Sequence, residues 1–261
     1  MCIRDRWDPE LYQRFGDERS RPFFDLVGRV AAEAPGMVVD LGCGPGTLTA
    51  TLARRWPGAQ IHGIDSSAEM IEAARALPAE GQRLRFALGD VRDWEPDGRV
   101  DVIVSNAVLQ WIPDHLALLA RWAGFLTGGG WLAFQVPGNF DQPSHQALRE
   151  LAGSRRWRPL LAGVQFNRQA ADPADYVDLL ARAGFGVDAW ETTYLHVLHG
   201  DDAVLDWYRG TGLRPVIAAL PPEQADEFLA DYRVRMSEAY PAAPYGTVFP
   251  FRRVFVVAAR R

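Results

Sequence analysis

The segment VVDLGCGPGTLT, residues 38–49, constrains the fold of this chain more than any other stretch. An apolar run ends in three glycines at alternate positions, Gly42, Gly44 and Gly46, and a helical pattern follows them. Buried parallel strands have continuous apolar runs of this kind. Glycine permits a positive φ and lets the backbone approach a ligand closely. The segment therefore predicts a strand, a glycine-rich turn and a helix, with a ligand held against the turn.

The same alternation continues along the chain and predicts an α/β fold. Short apolar segments typical of strands alternate with amphipathic segments typical of helices. The predicted strands cover residues 37–42, 60–65, 83–90, 100–107, 128–138, 187–195 and 253–260. This repetition indicates a doubly wound, Rossmann-like sheet, mostly parallel, with right-handed crossovers. We expect the last strand to be antiparallel.

The pattern also predicts three regions. Residues 1–34 form an N-terminal helical segment with two helices, and residues 1–6 match no element and are expected to be non-native. Residues 35–200 and 246–261 form the predicted cofactor-binding core. Residues 201–245 form a helical insertion between the last two strands, where we expect a lid over the site.

Composition excludes several classes of function. The net charge of −5 and the pI of about 5.6 disfavour nucleic acid as a partner, because proteins that neutralise phosphates are usually basic. The 5 histidines fit no metal-ligand spacing. The 2 cysteines, the lack of a signal peptide and the lack of an 18-residue apolar run predict a cytoplasmic protein without a membrane segment. All 28 basic residues are arginine, which rules out a lysine nucleophile, and the size favours a monomer.

Acidic residues accompany the glycine turn and the strand ends. Asp40 precedes the first glycine, where it would repel a phosphate but attract the cationic end of an amino acid. A third glycine is missing at Thr47, so the dinucleotide fingerprint is not met. Asp65 ends the second predicted strand, where an acid can accept hydrogen bonds from ribose hydroxyls, and Asp90 ends the third. A nicotinamide dehydrogenase is therefore disfavoured.

The pattern D-x-G-x-G-x-G at residues 40–46 resembles the first motif of the class I S-adenosylmethionine-dependent methyltransferases. The resemblance implies that S-adenosylmethionine places its methionine part against this turn and near Asn106, its ribose near Asp65 and its adenine near Met70 and Asp90. The implied cofactor-binding residues are Asp40, Gly42, Gly44, Gly46, Asp65, Met70, Asp90, Val91 and Asn106. Purely structural interpretations stay open: a helix N-terminal acid, a core methionine, and ordinary turn residues. Cys43 is interpreted as a packing residue.

Further segments resemble the trans-aconitate 2-methyltransferase family: residues 7–30, NAVLQWIPDH at 106–115, TTYLH at 192–196 and TGLRP at 211–215. Residues 139–170 match less well. The resemblance implies transfer of a methyl group to a carboxylate of trans-aconitate, giving the monomethyl ester and S-adenosylhomocysteine. A carboxylate is already ionised at pH 7, so no general base and no catalytic residue in that sense is expected.

A tricarboxylate acceptor requires cations, and arginine forks match carboxylates well. The candidate substrate-binding residues are Tyr12, Arg19, Arg21, Gln110, Trp111, Tyr194, His196, Arg214 and Arg253. Gln110 and Trp111 are favoured because they follow the fourth strand, whereas any single arginine could be a solvated surface charge. Two other functions stay open: a methyltransferase for another small-molecule acceptor, such as a phenol or quinone precursor, and a cofactor-binding protein without turnover.

Overall fold

The computed structural model describes residues 16–78, 83–164 and 170–261. The strands of these residues are β1 Met37–Leu41, β2 Gln60–Asp65, β3 Leu84–Leu88, β4 Val100–Asn106, β5 Leu126–Pro137, β6 Phe185–Leu198, β7 Ala242–Ala243 and β8 Gly246–Arg260. The helices are α1 Gly16–Gly28, α2 Thr47–Arg55, α3 Ala68–Arg75, α4 His115–Gly124, α5 Pro143–Ala152, α6 Pro173–Arg182, α7 Ala203–Arg209, α8 Arg214–Ala219 and α9 Pro222–Ala239. A 3₁₀ helix covers Leu109–Trp111.

The strands form one sheet in the order β3-β2-β1-β4-β5-β8-β6, with β7 paired to β8. Strands β1 to β5 pair in parallel, and β8 pairs with β5 in the antiparallel sense. The predicted fold class, a mostly parallel sheet with an antiparallel last strand, is confirmed. The chain order reverses between β1 and β4. In doubly wound folds, ligands bind outside the carboxyl ends of the strands at such a reversal.

The central strands are buried because their sequences are mostly apolar. Val38, Val39 and Leu41 of β1 are at most 2% exposed. Strand β4 shows the same burial from Val102 to Val104. Parallel strands covered by helices on both faces have this composition. The polar residues Asp40 and Asn106 therefore stand out near the carboxyl ends of these two strands.

Some predicted boundaries differ from the observed ones. The third strand ends at Leu88 rather than at Asp90, although the Gly89 amide still donates a hydrogen bond to the Asp65 carbonyl at 2.9 Å. The last two long strands extend beyond their predicted ranges, because their alternating burial continues into segments that the sequence pattern left unassigned. Of the two predicted N-terminal helices, the second is α1, and the residues before Gly16 lie outside the described part of the chain.

The contacts divide the chain into two compact units. The first, which we call the sheet unit, comprises Arg19–Pro137, Ala170–Thr192 and Arg253–Arg261. Its apolar cluster includes the fully buried Trp122 and Phe134. The glycine turn and all the predicted cofactor-binding residues belong to the sheet unit.

The second, which we call the helical unit, comprises the described residues 138–164 and 193–252, together with residues 16–18. Its core is rich in aromatic residues and includes Trp157, Tyr208, Phe228, Tyr232 and Phe249. Helices α7, α8 and α9 occupy the segment in which an all-helical insertion is predicted. The predicted domain boundaries themselves stay a prediction.

Two kinds of feature are absent from the described residues. No helix among them combines the length and the apolar character that crossing a membrane requires. No group of three or more histidine, cysteine, aspartate or glutamate side chains within the described ranges is arranged to hold a metal ion.

Candidate functional site

The glycine turn folds back over the end of β2. The amides of Gly42 and Cys43 both donate to the Ile64 carbonyl, at 2.8 and 3.0 Å. Gly42, Gly44 and Gly46 have positive φ angles of 83°, 55° and 76°. Residues with a side chain rarely adopt this left-handed backbone conformation, so the turn requires glycine at all three positions.

The three glycines differ in what surrounds them. A Cβ atom on Gly42 would lie 2.0 Å from Cγ2 of Val108, and one on Gly46 would lie 2.6 Å from Cζ of Phe86. A Cβ atom on Gly44 would meet no atom within 4 Å. The outer two glycines thus allow the protein to pack closely, whereas Gly44 faces open space that a ligand can enter.

The Asp65 carboxylate connects the turn to the next helix. Its Oδ2 accepts a hydrogen bond from the Gly44 amide at 2.9 Å, and its Oδ1 accepts one from the Ser67 amide at 2.9 Å. Ser67 caps α3 by accepting a hydrogen bond from the Met70 amide at 3.3 Å. Each carboxylate oxygen retains capacity to accept a further hydrogen bond. Asp65 can therefore hold the turn in place and still accept donors from a ligand.

Asp40 lies behind the turn and is 3% exposed. Its Oδ2 accepts a hydrogen bond from the fully buried Thr49 hydroxyl at 2.6 Å. Burial raises the pKa of Asp40 to about 7; the Thr49 hydrogen bond opposes this rise, and the nearby Asp65 charge adds to it. Burial also raises the pKa of the Cys43 thiol, so Cys43 stays protonated and fits its predicted packing role.

Asp90 lies two residues beyond the end of β3. Its Oδ1 accepts the backbone amide of Arg92 at 2.9 Å and the Nε of the same arginine at 3.0 Å. These contacts with Arg92 lower the pKa of the Asp90 carboxyl, so it is ionised near neutral pH. Val91 and Met70 are each 7% exposed, and the Val91 carbonyl accepts the Trp122 indole N–H at 3.3 Å.

The end of β4 carries buried acceptor atoms without hydrogen-bond donors. Asn106 is the last residue of β4, and its Oδ1 is buried without a partner. Ala107 follows with a strained φ of 58°, and its amide donates to the Gln135 carbonyl at 2.9 Å. Gln110 donates from Nε2 to the Ala107 carbonyl at 2.6 Å, which leaves its Oε1 buried without a partner. A ligand with donor groups would satisfy these atoms.

A buried pair connects β5 and β8. Arg253 is 4% exposed and donates from Nη1 to Oε1 of Gln135, which is fully buried, at 3.0 Å. Arg253 was among the predicted substrate-binding residues, whereas sequence reasoning missed Gln135 and Thr49. A signal existed for Gln135, because it is the single polar residue in the apolar run LAFQV near the end of the fifth strand.

The other predicted substrate-binding residues are more scattered. In the sheet unit, Trp111 is 46% exposed, and the 70% exposed side chain of Arg21 pairs with Asp25 at 3.8 Å. Arg19 lies in α1, and Tyr12 lies outside the described residues.

In the helical unit, the stacked rings of Tyr194 and His196 are 6.0 Å apart and both residues are buried. Arg214 begins α8 in the same unit. The structure thus groups the predicted cofactor-binding residues at the strand ends of the sheet unit and divides the substrate candidates between the two units.

Comparison with known proteins agrees with this geometry. A sequence family described as "Methyltransferase domain" matches residues 38–130, which include the glycine turn. The trans-aconitate 2-methyltransferase of Mycobacterium sp. (strain KMS) is 54% identical over 255 residues, covering 97% of this chain and 98% of that protein. The enzyme of the same name from Streptomyces avermitilis is 52% identical over 258 residues, covering 97% and 96%. This chain belongs to the trans-aconitate 2-methyltransferase family.

Members of the trans-aconitate 2-methyltransferase family are methyltransferases, so the predicted enzyme class is confirmed. Solved structures agree on the fold. Phosphoethanolamine N-methyltransferase 2 of Haemonchus contortus, in complex with S-adenosyl-L-methionine, is 17% identical with a TM-score of 0.57 over 96% of this chain and 56% of that chain. Geranyl diphosphate C-methyltransferase of Streptomyces coelicolor A3(2) is 18% identical with a TM-score of 0.54 over 97% of this chain and 86% of that chain. At these identities the likeness shows the fold alone.

Proposed function

We propose that this protein transfers the methyl group of S-adenosylmethionine to a carboxylate of trans-aconitate, forming the monomethyl ester and S-adenosylhomocysteine. One observation carries the proposal: the 54% identity to a trans-aconitate 2-methyltransferase extends over 97% of the chain. A similarity limited to the residues around the glycine turn would support only a cofactor-binding fold, because function depends on sites added to a fold. Here the similarity includes the helical unit as well.

The residues at the strand ends fit the cofactor. S-adenosylmethionine presents hydrogen-bond donors from its ammonium group, its ribose hydroxyls and its adenine amine. The sheet unit offers matching acceptors: the carboxylates of Asp65 and Asp90 and the unpaired Oδ1 of Asn106. Open space at Gly44 lets a ligand approach the turn. Asp40 would act from behind the turn on the cationic amino-acid end, and Met70 and Val91 would contact the adenine.

The chain's contribution to the reaction is binding and orientation. When bound, S-adenosylmethionine supplies a methyl group that is electrophilic because it is attached to a positively charged sulfur. The acceptor carboxylate, with a pKa of about 4, is ionised at neutral pH, so no side chain has to remove a proton. Holding the two reactants in line and excluding water can supply much of the rate enhancement.

Cationic and polar side chains are proposed to hold the acid. Arg253 offers a buried guanidinium in the sheet unit, and Gln110 lies on the loop after β4. The remaining proposed contacts are Tyr12, Arg19, Arg21, Trp111, Tyr194, His196 and Arg214. The acidic net charge disfavours a nucleic acid as the acceptor, so a small anionic acid would have to be held by specific arginines. We also propose that the protein acts in the cytoplasm as a monomer.

The test is transfer of a labelled methyl group from S-adenosylmethionine to a panel of small acids. We expect trans-aconitate to be methylated faster than cis-aconitate, citrate and tricarballylate, with mass spectrometry locating the ester. Asp65→Ala is a matched control, because it should remove activity by weakening cofactor binding. Methylation of another acid, with none of trans-aconitate, would reject the proposed substrate. Binding of S-adenosylhomocysteine without transfer to any acid would reject the enzyme.

A further inference from the structure

Gln135 is a fully buried polar side chain in an apolar strand. Its neighbours Phe134 and Val136 are also 0% exposed. Most buried polar atoms in proteins are hydrogen-bonded, because an unpaired atom has lost its water without compensation. Nε2 of Gln135 has no hydrogen-bond partner, although its solvent exposure is negligible. This donor requires an explanation.

The pairing of the strands places Gln135 at the end of the sheet where ligands bind. Gln135 pairs with Asn106 on β4 and with Phe255 on β8, and Pro137 pairs with Arg253. Residues paired across strands share one face of a sheet, as do residues two apart along a strand. The side chains of Asn106, Gln135 and Arg253 therefore lie on one face, at the carboxyl edge of β4 and β5.

The contact with Arg253 determines how the Gln135 amide is oriented. A guanidinium group has only donors, so the amide must present its oxygen to Arg253. The observed hydrogen bond, from Nη1 of Arg253 to Oε1 of Gln135 at 3.0 Å, has this arrangement. The NH₂ group then has to point away from the arginine. Arg253 thereby turns Gln135 into a donor with a fixed direction.

The neighbouring position on β4 carries an unpaired hydrogen-bond acceptor rather than a donor. Oδ1 of Asn106 is a buried acceptor without a donor, next to the strained residue Ala107. An acceptor oxygen suits the ammonium group of the methyl donor, whereas an NH₂ donor close to a guanidinium suits an anion. The two unpaired atoms thus match a cation and an anion that bind side by side.

We propose that Gln135 is a specificity-determining residue that donates a hydrogen bond from Nε2 to a carboxylate of the acceptor acid, and that Arg253 holds the amide in this orientation. The proposal rests on the proposed function and deepens it, because it assigns the recognition of one acceptor carboxylate to a residue of β5. The methyl donor and the acid that accepts the methyl group would be aligned because Asn106 and Gln135 occupy paired positions on neighbouring strands.

Two variants test the assignment. Gln135→Glu retains an oxygen for Arg253 but replaces the NH₂ donor by a second oxygen, which would repel a carboxylate. Gln135→Met retains the size and removes all polar atoms. We expect both to raise KM for trans-aconitate by about 10- to 100-fold, the effect of losing a hydrogen bond to a charged group. Kd for S-adenosylhomocysteine should change less than about threefold, and Tm of Gln135→Met should not fall.

A reciprocal variant provides the control. Asn106→Leu should weaken S-adenosylhomocysteine binding more than it raises KM for the acid. If the Gln135 variants weaken S-adenosylhomocysteine binding as much as acid binding, the amide belongs to the cofactor site and the proposal is overturned. An unchanged KM, or a lower Tm of Gln135→Met with an unchanged KM, would show a structural role and also overturn it.

The experiments distinguish a failure of the proposed function from a failure of the proposed role of Gln135. If the wild-type protein methylates a different acid from the panel, the proposed substrate fails, and the Gln135 variants are then measured with that acid. If the wild-type protein methylates trans-aconitate and the variants do so with the same KM, only the role of Gln135 fails. A wild-type protein inactive on every acid rejects both.

Discussion

Two groups of buried polar side chains, one in each unit of the molecule, differ in how completely they are hydrogen-bonded. In the helical unit, Ser144 is fully buried at the centre of a hydrogen-bonded group of three tyrosines. Its hydroxyl lies 2.7 Å from the Tyr208 hydroxyl and accepts a hydrogen bond from that of Tyr240 at 3.1 Å, and its carbonyl accepts the Tyr232 hydroxyl at 2.9 Å. Among the described residues of the helical unit, Oδ1 of Asn139 and Oε1 of Gln224 are buried side-chain oxygens without a donor.

In the sheet unit, three unpaired atoms gather at neighbouring strand ends: Oδ1 of Asn106, Oε1 of Gln110 and Nε2 of Gln135. Satisfied networks rigidify a core, whereas an unsatisfied buried group is destabilising unless something binds to it. The comparison indicates that the Ser144 group serves folding and that the strand ends of the sheet unit serve binding.

The largest effect is expected at Asp40, a buried carboxyl of the sheet unit with a single side-chain donor. Burial raises its pKa to about 7, so the folded protein holds this proton more tightly than the unfolded chain does. The contribution of Asp40 to stability is therefore present below pH ~4 and is lost as the pH rises through ~7, by up to about 4 kcal/mol. Denaturant unfolding at a series of pH values measures this loss.

Cofactor binding should change in the opposite direction over the same pH range. Ionised Asp40 attracts the cationic amino-acid end, so the affinity for S-adenosylhomocysteine should increase from pH 6 to pH 8. Asp40→Asn should remove the pH dependence of both stability and cofactor affinity. Denaturant unfolding measures the first and titration calorimetry measures the second. If the stability of the wild-type protein does not fall relative to Asp40→Asn between pH 4 and pH 7, Asp40 titrates normally and the interpretation fails.

The next effect concerns the helical unit. Ser144→Val removes the hydroxyl that joins Tyr208 and Tyr240, and it should lower the free energy of unfolding by about 3 kcal/mol because buried hydroxyls lose their partners. Kd for S-adenosylhomocysteine should stay within about twofold of the wild-type value. Tyr240→Phe is the milder control, with a loss of about 1 kcal/mol. A Ser144→Val protein with unchanged Tm and weaker cofactor binding would break the distinction between the two units.

The smallest effect is expected at Thr49, which sharpens the account of Asp40. Thr49→Val removes the hydroxyl that lowers the pKa of Asp40, so the pH midpoint of cofactor binding should move upward. At pH 7 the affinity for S-adenosylhomocysteine should fall about three- to tenfold, because a smaller fraction of Asp40 is ionised when its pKa is higher. Thr49→Ser retains the hydroxyl and should behave as the wild type. An unchanged midpoint in Thr49→Val would show that the hydroxyl does not act on Asp40.

Local patterns were enough for the sheet and the turn. Residues adjacent in sequence were sufficient to predict strands β1 and β4, which end at Leu41 and Asn106. They were also sufficient to predict the turn at the glycines between residues 42 and 46. The capping of α3 by Ser67 is equally local. The sequence pattern placed the end of β3 at Asp90, whereas the last paired residue of β3 is Leu88. One further hydrogen bond, from the Gly89 amide to the Asp65 carbonyl, continues beyond that residue.

The mostly parallel sheet, the glycine turn and the acids near the strand ends can be predicted from local sequence, because they depend on φ preferences and on residues close together along the chain. Which polar side chains face one another depends on the tertiary fold. Gln135 and Arg253 are 118 positions apart and meet because β8 returns antiparallel beside β5. Their contact orients a donor at the strand end, and no pattern within β5 alone specifies that orientation, because it comes from a partner across the sheet.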